Sequence, residues 1–340
     1  MNKFKFYFIL LIATVTLFSC SRDEPSTPIT PPREYSEQYK TDKKAIEDYL
    51  NTYYLNMDLT DPNFADKDVV MTKIPVGGIQ KPLMSYLNAT TYPKLLSKEV
   101  SLHSITYNLY YLVLREGVGK SPCNVDGVLT TYKGDYLESI AATTSIEASI
   151  NAIKFEESKY PQSFFDLANT VRGWGETFPE FKTGTYTSNS DGTITYNNFG
   201  AGVMFLPSGL GYYNIGSGAI PSYSPLVFSF KLYEIQRLDQ DNDGIPSYLE
   251  DLNGDGYIYD YRNTLNYPTP PVDAIRYADD TDKDGFPDFL DIDDDGDNYT
   301  TKLELKKPDG TYHTFETVPS CSGQTVKRYL TASCKPPYTN

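Results

Sequence analysis

Four stretches of this 340-residue chain place oxygen-bearing side chains at alternate positions. In "DQDNDGIPSYLE" (239–250), Asp239, Asp241 and Asp243 take places 1, 3 and 5, Gly244 place 6, Ser247 place 9 and Glu250 place 12. "DTDKDGFPDFLD" repeats the spacing with Asp280, Asp282, Asp284, Gly285, Asp288 and Asp291, and "DDDGDNYTTKLE" with Asp293, Asp295, Asp297, Asn298, Thr301 and Glu304. A fourth copy, "DLNGDGYIYD", offers Asp251, Asn253, Asp255 and Gly256 but meets Arg262 at the twelfth place, so it is expected to be incomplete or to share ligands. Such spacing, with glycine at the sharp turn, folds a loop whose oxygens converge on one hard cation. The loops contain no histidine or cysteine, which favours Ca2+ over zinc.

The same region explains the charge. Residues 239–304 hold 19 Asp and Glu against 4 Lys and Arg, an excess that matches the net charge of −15 for the whole chain. Carboxylates packed this densely repel one another, so a bound structural cation is expected to order the region by mass action. The chain has no basic footprint for nucleic acid. The loops follow one another almost directly and carry Pro246 and Pro287, which does not suit the long flanking helices of an EF-hand. They resemble the calcium-binding repeats of thrombospondin type 3.

A second constellation is aromatic. "TVRGWGETFPEFKTG" (170–184) holds Trp174, the only tryptophan, between Gly173 and Gly175. Ahead of it stand "YLVLREGVGKSP" and "VLTTYKGDYL", and after it "LPSGLGYYNIGSGAIPSYSPLVFSFKLYEI". "GVGKS" is no phosphate-binding loop, because Leu114 stands where that motif needs its first glycine. In order, the pieces supply Tyr132 with Gly134, Val171 with Gly173 and Trp174, Leu210 with Tyr212, Ile220 with Pro221, and Leu226 with Phe228 and Leu232. Over residues 105–236 this resembles FKBP-type peptidyl-prolyl cis-trans isomerases. The resemblance implies an apolar pocket floored by Trp174, with Tyr132, Phe165, Ile220 and Phe228 as walls and Tyr212 adding a hydroxyl. It also implies that the Val171 N–H receives a substrate carbonyl and that Glu156, after Phe155, stands on the rim. Departures from the family are the long stretch 138–154, an apparent hairpin inserted at 187–201, Tyr213 where glycine is common, Glu156 where Asp is common, and the small Ala219 before Ile220.

Such a pocket needs no nucleophile. Rotating an X-Pro amide costs about 18–20 kcal/mol because resonance is lost. The twisted amide carries less charge on its oxygen, so a dry aromatic cavity favours it over the planar form. Each residue also has a plainer reading: Phe228 and Leu226 would be buried in any sheet, and Glu156 would suit a solvated surface.

The elements that must position these residues are read from periodicity. "EQYKTDKKAIEDYLNTYYLN" (37–56) has a helical apolar period, whereas 58–100 is broken by four prolines and is expected to be irregular with short elements. Strands are expected at 105–117, 128–137, 192–197, 202–207 and 225–235. The fold class is therefore α+β: an FKBP-like antiparallel sheet wrapped around a short helix, with an N-terminal helical extension (37–104) and a C-terminal calcium-loop repeat region (237–305) before a tail (306–340).

The N-terminus carries Lys3 and Lys5 before an apolar run from Phe6 to Phe18, too short for a comfortable span, and ends in "LFSC". Residues 1–19 read as a lipoprotein signal and Cys20 as the acylated first residue of the mature chain. The Pro-rich stretch 20–36 reads as a tether, and Asp23 with Glu24 resembles an acidic tag for the outer cell surface. Cys321 and Cys334 could pair, leaving Cys123 single. With only His103 and His313 in the chain, a Cys/His nucleophile is not expected. The expected protein is a monomeric outer-membrane lipoprotein of the cell envelope that isomerises proline-containing exported polypeptides. The alternatives are an FKBP-fold binding or scaffold lipoprotein with little turnover, or a surface adhesion or gliding component that uses its calcium repeats.

Overall fold

The helical period of the N-terminal stretch becomes α1 (Tyr35–Thr52), which buries Ile46, Tyr49 and Leu50 on one face. The helix stops where Tyr53 turns extended, and Tyr53–Leu55 forms strand β1, paired with β2 (Met71–Lys73). These elements belong to a computed structural model that describes residues 31–144 and 147–338. Every element named here lies within one compact unit spanning Glu34–Asn340. The signal, Cys20 and most of the tether fall outside the described residues.

The main sheet contains β3 (Lys94–Leu102), β4 (Ile105–Arg115), β5 (Gly127–Ile140), β6 (Ser149–Ser158) and β7 (Phe165–Asp166). After the short helix α2 (Arg172–Thr177) and the hairpin β8 (Thr185–Ser188) with β9 (Ile194–Asn197), it is completed by β10 (Gly200–Leu206) and β11 (Leu226–Gln236). The order is β3-β4-β10-β11-β5-β6, with β7 on β5, and these pairings are antiparallel. The fold is thus mixed α and β with a mostly antiparallel sheet. The inserted hairpin is present. Three strands differ from the sequence reading: β1 takes the end of the stretch 37–56 expected to be helical. β3 lies in the stretch expected to be irregular, since the prolines around Pro93 end just before it and only Leu95, Val100 and Leu102 are buried. β6 lies largely in the long connection, where charged residues obscured its alternation.

Successive strand side chains point to opposite faces, so a strand covered on both sides must be apolar throughout. β10 shows this: Met204 and Leu206 enter the core that surrounds α2, while Val203 and Phe205 enter the one beneath α1. The sheet therefore wraps α2 on one face and is sealed by the N-terminal helix on the other. A buried carboxylate fixes that seal. Asp42 accepts the Ser208 N–H at 2.8 Å, the Ser208 hydroxyl at 2.6 Å and the Gln38 amide at 2.6 Å, tying α1 to the loop that carries Tyr212.

The tail folds back onto the acidic loops. Val318 and Tyr329 share a small core with Ile245 and Leu305, and Cys321 is bonded to Cys334. No helix among the described residues is long and apolar enough to cross a membrane.

Replacing Asp42 with Ala leaves the buried Ser208 N–H and hydroxyl without their acceptor. Urea unfolding should register a loss of about 1–3 kcal/mol; an unchanged midpoint would show that the α1 seal does not depend on this carboxylate.

Candidate functional site: an aromatic cleft beside four acidic loops

The cleft begins with a glycine. On β5, Tyr132 and Gly134 share a face, opposite Phe230 and Phe228 of β11. Between Gly134 and Asp135 the pairing with β6 shifts register, leaving Phe155 as the extra residue of a bulge. A Cβ on Gly134 would stand 2.4 Å from the Phe155 ring, so the missing side chain makes room for that ring. Gly173 works in the same way: a Cβ there would meet Leu206 at 2.4 Å, whereas one on Gly175 would make only ordinary contacts. Thus one of the two glycines beside Trp174 is required by packing, and it lets α2 settle on β10.

Trp174 is buried, and its ring is met edge-on by Tyr132 (5.1 Å between centroids), Phe228 (5.4 Å), Phe165 (5.6 Å) and Phe178 (5.3 Å). Phe155 stands edge-on to Phe228 at 5.7 Å. Edge-to-face packing puts positive ring edges against negative faces and holds each ring at a defined tilt. The cleft they border has a volume of about 1160 Å3. Seven of the eight residues expected at the site line it: Tyr132, Glu156, Phe165, Val171, Trp174, Tyr212 and Phe228. Ile220 does not; it is buried in the core behind them. Val171 is the extended N-cap of α2. Burial, and then the nearby Glu156 carboxylate, raises the Tyr132 phenol above its ordinary value. Tyr213 has φ +43°, which explains why glycine suits that place, and it stacks on Tyr35 of α1 at 4.1 Å.

The opposite side of the cleft comes from the C-terminal region, through Ile258, Asp260, Asn263, Tyr267, Phe289 and Leu290. Nothing in the sequence reading anticipated this wall, because its residues carry no pattern that names a partner. Arg172 donates to the Tyr267 hydroxyl at 2.8 Å and to Glu176 at 2.8 Å, and its guanidinium lies over the Tyr259 ring. His103, at the β3–β4 turn, donates its backbone N–H to the Asn266 carbonyl at 2.6 Å. Burial, then the Arg172 charge, lowers the His103 imidazole to about 4, so the ring is neutral near pH 7.

The four acidic stretches share one backbone form. The fourth and sixth places have positive φ in every copy: Asn242 and Gly244, Gly254 and Gly256, Lys283 and Gly285, Gly296 and Asn298. In each loop the first side chain accepts the N–H of the sixth residue, the third that of the fifth, and the fifth that of the seventh. These bonds use one oxygen of a side chain and leave others to converge. Three groups do so with ligand atoms within 4.8 Å of one another: Asp241, Asp243, Glu250 and Asp294; Asp280, Asp282 and Asp284; and Asp293, Asp295 and Asp297.

The first group crosses between loops. Asp294, at the second place of its own loop, joins the ligands of the first loop, and sequence spacing alone did not assign it. Glu250 and Asp294 are each 1% exposed, and all four of their carboxylate oxygens lack a hydrogen-bond partner. A donor set of buried, unpartnered oxygens fits a hard divalent cation. Asp239 and Glu304 each keep one unpartnered oxygen outside these groups. Asp288 does not join its loop's group, since Thr281 donates to both of its oxygens, and Asp291 instead accepts the Asp293 N–H. Asp251, Asn253 and Asp255 form the turn of the incomplete copy and belong to none of the groups among the described residues.

Comparison with known proteins gives two results. The family described as BamM C-terminal matches residues 240–328, which cover the acidic loops and most of the tail. No curated protein matches the chain. Among solved structures, the chain is similar to a peptidyl-prolyl cis-trans isomerase from Pseudomonas syringae pv. tomato, with 15% identity, 61% of this chain and 99% of that one covered, and a TM-score of 0.32. It is also similar to FkpA from Escherichia coli (24% identity, 44% and 54% covered, TM-score 0.29) and to the N-terminal domain of FKBP42 from Arabidopsis thaliana (13%, 38% and 86%, TM-score 0.27). The chain thus spans about half the length of FkpA.

Burial, and then neighbouring carboxylates, pushes Glu250 up to about 10; burial first also pushes Asp243 up to about 7. The folded chain therefore holds more protons than the unfolded one between the ordinary carboxylate range and these values, so its stability must fall as pH rises through that window. Thermal unfolding in chelator should show this decline, and added Ca2+ should remove it. A flat profile in chelator would mean that these carboxylates are not buried as described.

Proposed function

We propose that the protein is an FKBP-type peptidyl-prolyl cis-trans isomerase, held at the outer membrane by acylation of Cys20 and acting on proline-containing exported polypeptides. The observation that carries this reading is the box of Tyr132, Phe165, Trp174 and Phe228, whose rings meet edge-on at one side of a cleft. A prolyl ring seated on Trp174 gives up water on its apolar faces. The planar amide ahead of it loses hydration of its carbonyl oxygen, and the twisted amide, less dependent on that hydration, loses less. In this reading the Val171 N–H and the Tyr212 hydroxyl, both at the cleft, take the carbonyls flanking the bond. Each ~1.4 kcal/mol by which the box favours the twisted form is worth about tenfold in rate. Ca2+ is the structural cation of this reading, held by the three carboxylate groups. When bound it supplies positive charge that lets their buried oxygens stay ionised.

A second reading, a binding lipoprotein with little turnover, is favoured by the size of the cleft, which exceeds what a prolyl ring fills and is rimmed by the exposed Tyr212 and Ile215. Isomerisation of a short Leu-Pro peptide separates the two. Trp174→Leu and Phe228→Ala should each lower the catalysed rate about tenfold or more while the far-ultraviolet circular dichroism is kept. Binding of the peptide without any acceleration would sink the catalytic reading in favour of the second.

A further inference from the structure

The wall facing the aromatic box belongs to the region of the acidic loops, and its attachments run from those loops to the cleft floor. Three of its contacts lie nearest the cleft floor. The Asn124 side chain clasps the backbone of Ile258, donating to its carbonyl at 2.8 Å and accepting its N–H at 2.9 Å. Ile258 and Phe289 pack with Cys123 and Val125 in a small core of their own. Tyr259 and Tyr267 engage Glu176 and Arg172 of α2, the helix that carries Trp174. The loop that begins the region is pinned to the same place, because the Gln240 amide donates to the Val125 carbonyl and Arg237 pairs with Asp126.

Between these attachments lies the group formed by Asp241, Asp243, Glu250 and Asp294. It joins the first loop, tied to Val125, to the third complete loop, whose Asp294 follows closely on Phe289 and Leu290 of the wall. Without a cation the four oxygens of Glu250 and Asp294 are buried with neither water nor a hydrogen-bond partner, a cost that falls away if the two loops separate. A divalent cation reverses that preference and draws the segment ending at Asp294 toward the first loop.

We propose that cation binding at this group sets the position of the second cleft wall, and thereby controls how tightly the cleft holds its peptide. The part concerning peptide rests on the isomerase reading; the part concerning the wall does not. Trp174, the only tryptophan, lies on the cleft floor beneath the attachments and reports on the wall by its emission.

The test uses the full chain in detergent, with a fluorescein-labelled peptide containing Leu-Pro, in Ca2+ and in chelator. Anisotropy gives the peptide Kd, Trp174 emission reads the floor, and calorimetry reads Ca2+ binding directly. Ca2+ is expected to tighten the peptide about fivefold or more and to shift the emission. Asp294→Asn should remove both responses together with the heat of the coupling site. Asn124→Ala should keep the heat and lose both responses, with circular dichroism confirming that both variants remain folded. Ca2+ heat with unchanged Kd and unchanged emission in the wild type overturns the proposal, as does the absence of Ca2+ heat. Emission that responds in the wild type but not in Asn124→Ala, with no peptide bound in either buffer, sustains control of the wall and removes the isomerase reading.

Discussion

The carboxylate of Glu176 is buried in the middle of the molecule, and a charge placed there must be met by partners. They come from three parts of the chain. Lys98 of β3 approaches at 3.1 Å, Arg172 from one turn earlier in α2 at 2.8 Å, and the Tyr259 hydroxyl of the C-terminal region at 3.2 Å. Around this center, Lys98 lies over the Tyr257 ring and the Tyr257 hydroxyl donates to Glu180 at 2.8 Å. The short helix that presents Trp174 is too brief to be stable by itself. Its position follows from apolar contact with Leu206 on one side and from this charged and phenolic cluster on the other.

The two-faced sheet follows from the same economy of cover. Because β10 is apolar on both faces, it needs α1 as much as it needs α2. The N-terminal helix is therefore part of the structure that shapes the cleft, through Asp42 to the Ser208 loop and through Tyr35 to Tyr213 and His103. Tyr213 illustrates the exchange involved: a backbone conformation that glycine adopts freely is held by a tyrosine whose ring is stacked and largely buried.

What the sequence made legible was whatever local pattern determines. Runs of β-branched and aromatic residues located β4, β5, β10 and β11, and the pieces around Gly134 and Gly173 located the aromatic part of the cleft lining. The loop spacing identified the acidic turns, because positive φ at the fourth and sixth places is a property of each loop alone. Illegible were relations between distant segments. Asp294 looks like a spare aspartate inside its own loop and joins the carboxylates of the first loop only when that loop is packed against it. Asp288 has the right spacing but turns to Thr281, a competition between a neighbouring hydroxyl and a shared center that spacing does not encode. Ile220 was expected on the pocket surface and is buried instead in the core cluster that holds Trp174 and Phe228.

The acidic region also inverts the usual relation between charge and fold. In most domains the buried carboxylate is the exception, met by a cation of the chain, as Asp126 is by Arg237. Here several carboxylates are buried together with few ammonium groups near them: Lys335 stands 3.8 Å from Asp297 and is half exposed, and Lys302 donates to the Asn242 carbonyl rather than to a carboxylate. Such a cluster keeps its form only by taking up protons or a multivalent cation. The region's apolar contacts are correspondingly small: Cys123, Val125, Ile258 and Phe289 in one cluster, Ile245, Leu305, Val318 and Tyr329 in another. Counter-charge, as protons or as a cation, therefore weighs more in this part of the cleft than in the sheet, whose two cores are apolar and whose buried Glu176 is met by Lys98 and Arg172.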